Sequence, residues 1–146
     1  MTDVEKSRLN LMKSLGASET FDTSGKSSEE LRTLTAKTDV VFDTTCNEEA
    51  INASLHWLEK GGSLVLIGVF TSGRFIDLHT LFLKELTVTT SYRYANTYQA
   101  CISLVENKFI DPASLVSHHF PLEKIQEAFE KAANDKKDVM KIIINC

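Results

Sequence analysis

The run Ser63-Leu64-Val65-Leu66-Ile67-Gly68-Val69 carries no polar residue after its first position. A strand with one wet face alternates polar and apolar residues. A continuous apolar run of this length belongs to a parallel strand with helices over both of its faces. Asp39-Val40-Val41-Phe42-Asp43 and the stretch from Leu86 to Ser91 repeat the pattern on a smaller scale. Between these runs lie segments of helical period. From Glu48 to Leu58, Ile51, Leu55 and Leu58 share one face, and Leu78 to Leu83 makes a second, shorter helix. Strands alternating with helices predict a doubly wound α/β sheet.

The flanking segments fit that alternation. Leu9, Met12 and Leu15 form a stripe within a helix from Val4 to Leu15, which Gly16 can close. Glu19 to Thr23 reads as a short strand. Ser27 or Ser28 can cap a helix reaching Leu34, with Glu29 and Glu30 at its positive end. Gly61-Gly62 is placed to end the Glu48 helix. A helix is expected from Asn96 or Thr97 to Asn107, then a strand from Leu115 to Phe120. Pro121 suits the first position of a helix carrying Leu122, Ile125, Ala128, Phe129 and Ala132, and a last strand covers Val139 to Ile144.

With 146 residues the chain suits one domain-sized core, and its net charge of −4 argues against a nucleic-acid groove. The lysines between Lys131 and Lys141 are interrupted by Asp135 and Asp138 and read as a solvated face. No run is long enough to span a bilayer, and Met1 to Glu5 does not open a signal peptide. Cys46, Cys101 and Cys146 form no CxxC pair and read as reduced thiols, which points to the cytoplasm.

Motifs of catalysis are absent: no GxSxG, HExxH, P-loop or GxGxxG occurs. His56 is expected on the solvent side of its helix and His79 in the short apolar helix. His118 and His119 are adjacent, so a strand points them to opposite faces. Cys46 follows a strand in a loop, where a thiol is either reactive or an inert packing group. Asp3 precedes a helix. It is either a cap or the acidic residue that binds ribose hydroxyls at a strand end. Arg93, between Tyr92 and Tyr94, follows a buried strand. In an open α/β sheet ligands bind beyond the carboxyl ends of strands, so Arg93 is either a ligand group there or a surface arginine flanked by packing tyrosines.

Several of these segments resemble a known family. Ser91-Tyr92-Arg93-Tyr94-Ala95-Asn96-Thr97-Tyr98 is similar to the phenylalanine-arginine-tyrosine segment followed by Asn-Thr in sorbitol dehydrogenases, polyol dehydrogenases of the medium-chain, zinc-containing alcohol dehydrogenase superfamily. Gly61 to Gly68 resembles that family's fifth-strand motif. His118-His119-Phe120-Pro121-Leu122-Glu123-Lys124, with Ala128-Phe129-Glu130 after it, resembles its C-terminal turn. Thr2-Asp3, Ser7-Arg8-Leu9 and Gly16-Ala17 resemble the end of its second strand and the following helix.

The resemblance implies NAD as cofactor. By it, Asp3 binds the adenosine ribose hydroxyls and Arg8 lies against the adenosine end. Ile67, Gly68 and Val69, and likewise Ser91, Tyr92 and Arg93, run along the nicotinamide half. Arg93 and Tyr94 reach the polyol substrate or the water network beside the zinc. Cys46 stands where the family has glycine, and Tyr92 replaces a phenylalanine. The family's zinc ligands, its first strand and its glycine-rich phosphate loop have no counterpart here. The fold expected is therefore a partial doubly wound, Rossmann-like NAD-binding domain over residues 1–110, with residues 111–146 as the segment that returns to the catalytic domain.

In the strand order 3-2-1-4-5-6, loss of strand 1 leaves the strand at Val40 to Asp43 with an open edge. Either the strand near Phe21 slides over to pair with it, or another chain supplies the missing part. The function implied is that of the C-terminal part of an NAD-dependent polyol dehydrogenase, not catalytically complete by itself. It is expected to be a homo-oligomer through its coenzyme domain. The alternative is a non-catalytic module that interacts with a full-length enzyme.

Overall fold

A computed structural model describes residues 1–35, 37–135 and 137–146. The chain divides into two compact units. One comprises residues 25–95, the other residues 1–24 with 96–146. Lys136 lies outside the described residues. Beside it, Lys131 donates to the Asp135 carboxylate at 2.9 Å.

Residues 25–95 build a three-stranded parallel sheet. In chain-order labels its strands are β3 (Thr38–Asp43), β4 (Leu58–Leu66) and β5 (Thr87–Thr90), in spatial order β3-β4-β5. Helix α2 (Ser28–Arg32) precedes β3, α3 (Glu48–Trp57) joins β3 to β4, and α4 (Leu78–Lys84) joins β4 to β5. α3 starts where the Asn47 side chain accepts the Ala50 N–H at 2.9 Å, with Glu48 and Glu49 at its positive end. Its Ile51 and Leu55 meet Leu58 and Leu64 in the main core, against which Val41, Leu66, Leu81 and Leu86 pack. Ala53 and Trp57 form a second cluster with Leu31 of α2, and the Trp57 indole donates to the Leu31 carbonyl at 2.7 Å.

Of the two serines that could cap α2, Ser27 does so, in a capping box: the Ser27 side chain accepts the Glu30 N–H while the Glu30 carboxylate accepts the Ser27 N–H. At the far end of α3, the Lys84 ammonium donates to the carbonyls of Leu55, His56 and Leu58, at 2.9, 3.0 and 2.7 Å. It satisfies oxygens that a helix end leaves without partners.

Two sequence expectations change here. Gly61-Gly62 does not lie between helix and strand. Leu58 already pairs with Thr38, and the register then jumps so that Val40 pairs with Ser63. The two glycines sit in the resulting bulge. Gly61 has φ +76°, and a Cβ on Gly62 would lie 2.9 Å from the Glu59 carbonyl oxygen. The β4 ladder also ends at Leu66, before Ile67-Gly68-Val69. Within this unit only one sheet face is covered. Leu64 is fully buried beneath the helices, while Val40 and Phe42, on the opposite face, are 43% and 66% exposed.

In the other unit, β1 (Thr2–Asp3) pairs in parallel with β2 (Phe21–Asp22) across α1 (Lys6–Ser14). Gly16, at φ +104°, follows the end of α1 as expected. α5 (Tyr98–Glu106) comes next, then β6 (His118–Pro121) and β7 (Ile142–Asn145), a parallel pair joined by α6 (Ile125–Asn134). Pro121 ends β6 instead of opening a helix, and a short 3-10 turn, Leu122–Lys124, separates it from α6. Leu115 closes another 3-10 turn, Pro112–Leu115, rather than beginning a strand, and Val139 to Lys141 precede β7.

Candidate coenzyme-side site

The carboxyl ends of β3, β4 and β5 meet within one unit, and Asp43 holds the first two together. Asp43 is buried at the last position of β3. Its carboxylate accepts the Thr45 hydroxyl at 2.6 Å and the Cys46 N–H at 3.1 Å. Its carbonyl accepts the N–H groups of Ile67, at 2.8 Å, and Gly68, at 3.3 Å. A single aspartate therefore fixes both the loop after β3 and the turn after β4.

Cys46 has left-handed backbone geometry, φ +55°, a region that glycine enters without penalty and other residues rarely occupy. A Cβ on Gly68 would run into the Cys46 sulfur and would lie 3.1 Å from the Thr44 carbonyl oxygen. Gly68 is thus the residue that lets these two loops touch. Beyond it, the Glu48 carboxylate accepts the Phe75 N–H at 3.0 Å. The Asn52 side chain donates to the Phe75 carbonyl at 3.1 Å and accepts the Asp77 N–H at 2.8 Å. These bonds pin the loop after β4 to α3 and leave Ile67 and Val69 exposed.

β5 ends beside β4, where the Ser91 N–H donates to the Leu66 carbonyl at 2.9 Å. Past it, Arg93 (φ +59°) and Asn96 (φ +56°) both adopt the left-handed conformation. Such residues cost of order 1–3 kcal/mol each and cluster at ligand clamps. The Arg93 guanidinium carbon lies 5.1 Å from the centroid of the Tyr92 ring, a cation–π distance. Tyr92 and Tyr94 are exposed. Thr97 occupies the N-cap of α5 without a side-chain capping bond.

Asp3 and Arg8 belong to the other unit. Asp3 ends β1, its Oδ1 accepts the Glu5 N–H at 2.8 Å, and its Oδ2 lies 4.0 Å from the Arg8 guanidinium. The N-cap position of α1 is Glu5, so Asp3 supports the turn into the helix from two residues upstream. A cavity of about 110 Å³ lies beside Arg8, lined also by Ser7, Leu11, Ser117 and Met140.

The remaining candidates lie elsewhere. His56 is half-buried near the C-terminal end of α3, on the helix's least buried stripe with Glu48 and Asn52. Burial, then the charges of Arg32 and Lys84, hold its pKa below the usual histidine value. His79 is exposed on α4. His118 and His119 occupy successive β6 positions, opposite Ile142 and Ile143, and only His118 stacks with Phe120, at 6.5 Å between centroids. All three cysteines are free thiols. Among the described residues no group of three His, Cys, Asp or Glu side chains is arranged to hold a metal ion, and no helix is long and apolar enough to cross a membrane.

Sequence reasoning missed Asp43, Glu48 and Asn52. Asp43 had a readable signal, an aspartate ending an apolar strand and followed by Thr-Thr, which suits a side-chain-stabilised turn. The partners of Glu48 and Asn52 lie more than twenty positions away along the chain, at Phe75 and Asp77. Local pattern gives no sign of them.

Residues 1–107 match the zinc-binding dehydrogenase family. Along its whole length the chain is 34% identical to sorbitol dehydrogenase from Ovis aries, covering 42% of that protein. It is 30% identical to sorbitol dehydrogenase from Bacillus subtilis, with 99% of the chain and 42% of that protein aligned. Among solved structures, a short chain alcohol dehydrogenase from E. coli CFT073, complexed with NADH, superposes with a TM-score of 0.89 at 20% identity, over 99% of this chain and 43% of that one. L-idonate 5-dehydrogenase from Escherichia coli gives 0.86 at 23% identity, over 99% and 42%. The chain therefore spans less than half the length of these relatives, and its α/β fold of parallel strands is that of their C-terminal coenzyme-binding part.

Proposed function

Because this chain belongs to the zinc-binding dehydrogenase family, we propose that it forms the coenzyme-side portion of an NAD-dependent polyol dehydrogenase, which oxidises a secondary alcohol to a ketose. The observation that carries this reading is the junction of Asp43, Cys46 and Gly68. It brings the turn after β4 against the loop after β3, at the strand ends where open α/β sheets bind ligands. We read residues 1–110 as the coenzyme domain and residues 111–146 as the segment returning to a catalytic domain.

The residues present suit parts of a dinucleotide. Asp3 carries an acceptor-only carboxylate at a strand end, the chemistry that receives a ribose diol. Its charge repels a 2′-phosphate, which favours NAD over NADP. Arg8 then borders the adenosine. The backbone of Ile67, Gly68 and Val69, with that of Ser91, Tyr92 and Arg93, lines the nicotinamide half. NAD supplies the hydride acceptor when bound. Arg93 and Tyr94 offer donors to the polyol hydroxyls, and the Tyr92 ring steadies the guanidinium. The described residues do not offer a zinc donor set, so no step through zinc is assigned to this chain. Assembly into a homo-oligomer is read through the coenzyme domain on the β5 side, where Val88 is exposed and β5 is paired on one edge among the described residues.

Incubating the purified 146-residue chain with sorbitol and NAD tests the reading. No enzymatic NADH production is expected, because the described residues offer no zinc donor set. Sorbitol-dependent turnover on the order of one per second or faster would contradict it.

A further inference from the structure

The chain has four arginines. Arg8 lies 4.0 Å from the Asp3 carboxylate, and Arg32 lies 4.0 Å from that of Glu29. Arg74 and Arg93 form no ion pair among the described residues, and they belong to the loops that follow β4 and β5. Arg93 rests on the Tyr92 ring, beside the proposed polyol. Arg74 has no such role. We propose that Arg74 is an anion-binding residue that takes a phosphate group of the ligand seated at this end of the sheet.

Three observations carry the assignment. The first is placement. Arg74 Nε donates to the Cys46 carbonyl at 3.2 Å, and the Cys46 sulfur abuts Gly68. The guanidinium therefore stands where the loops after β3 and β4 meet, at the strand ends where open α/β sheets bind ligands. The second is order in an exposed side chain. Nη1 donates to the Ser72 hydroxyl at 2.5 Å and to the Gly73 carbonyl at 3.0 Å. One edge of the guanidinium is thus fixed by its own loop, while Nη2 keeps two donors for the oxygens of one anion. The third is charge. The carboxylates around this junction are engaged by other groups: Asp43 by Thr45 and Cys46, Glu48 by the Phe75 N–H, and Asp77 by His79 and Thr80. The charge of Arg74 is left for a ligand. The choice of phosphate rests on the proposed function, because a dinucleotide carries a diphosphate and guanidinium binds phosphate with charge-assisted bonds.

Inorganic pyrophosphate, which contains neither nicotinamide nor polyol, is the first probe. Calorimetric titration of the full chain at low salt should give binding with a Kd on the order of a millimolar, weakened by added salt. Arg74→Gln should weaken it about tenfold, the effect of losing a hydrogen bond to a charged group. Arg74→Lys should recover part of the loss, and Arg32→Gln should change nothing. In the natural chain, pyrophosphate should also slow modification of Arg74 by an arginine-selective dicarbonyl and leave Arg32 unaffected, a readout that needs no variant to fold. NADH, and sorbitol 6-phosphate against sorbitol, then separate the two sources of the group. Weaker NADH binding in Arg74→Gln places the diphosphate of the coenzyme there. NADH binding that Arg74→Gln does not alter, with sorbitol 6-phosphate held through Arg74, places a phosphorylated substrate there.

Pyrophosphate bound through Arg74 without any binding of NADH keeps the anion site and removes the coenzyme reading. NADH bound equally by the natural chain and Arg74→Gln, with sorbitol 6-phosphate no tighter than sorbitol, keeps the coenzyme reading and overturns the proposal. No pyrophosphate binding by the folded chain, no protection of Arg74, or an equal loss in Arg32→Gln would overturn it as well.

Discussion

Cys46 and Gly68 share one small volume, and that contact sets what each position tolerates. Cys46 sits at φ +55° with its sulfur over Gly68. Gly68→Ala adds a methyl group into the sulfur, and overpacking of this kind costs about 1–3 kcal/mol. In a Cys46→Gly background the same substitution should cost less, because the sulfur is gone and only the Thr44 carbonyl remains close. Urea unfolding of the four proteins measures that coupling. Equal costs in both backgrounds would show that the two residues do not interact. His56 offers a second residue-scale test. Its folded-state pKa lies below the unfolded value of 6.5, so the unfolded chain binds more protons between the two and stability rises with pH through that window. Acidification from neutral to about pH 5 should therefore lower the urea midpoint of the natural chain more than that of His56→Gln. Identical shifts would remove His56 from the account.

α3 is the element that organises residues 25–95, since it faces the sheet with one side, α2 with another, and the loop after β4 with Asn52. Losing its cap in Asn47→Ala should cost about 1 kcal/mol in chemical unfolding. An unchanged midpoint would show that packing alone fixes where α3 begins. Much at this scale was legible in the sequence. The 3.6-residue period of Ile51 and Leu55 placed α3, a cap at Ser27 or Ser28 followed by Glu29 and Glu30 placed α2, and the apolar runs placed β3, β4 and β5. What local pattern missed has a physical cause in each case. Gly61-Gly62 reads as a helix stop, yet Leu58 already pairs with Thr38 and the glycines absorb the register jump. Pro121 reads as a helix start, yet it pairs with Asn145, a partner beyond any local window. Val40 and Phe42 read as buried, yet covering them takes a second layer that their own unit does not contain.

At the scale of the whole molecule, parallel strands and strand-end loops are in place, and among the described residues β3 and β5 are each paired on one edge only. A chain of this kind keeps the residues proposed to face NAD and spans 42% of its relatives. The central claim is that those residues still bind the coenzyme. Calorimetric titration of the full chain with NADH, and separately with NADPH, tests it most directly. The account predicts weak saturable binding of NADH, with a Kd on the order of a millimolar, weaker binding of NADPH, and loss of that preference in Asp3→Ser. Equal binding of the two nucleotides by the natural chain, or no binding of NADH by a folded chain, would contradict it.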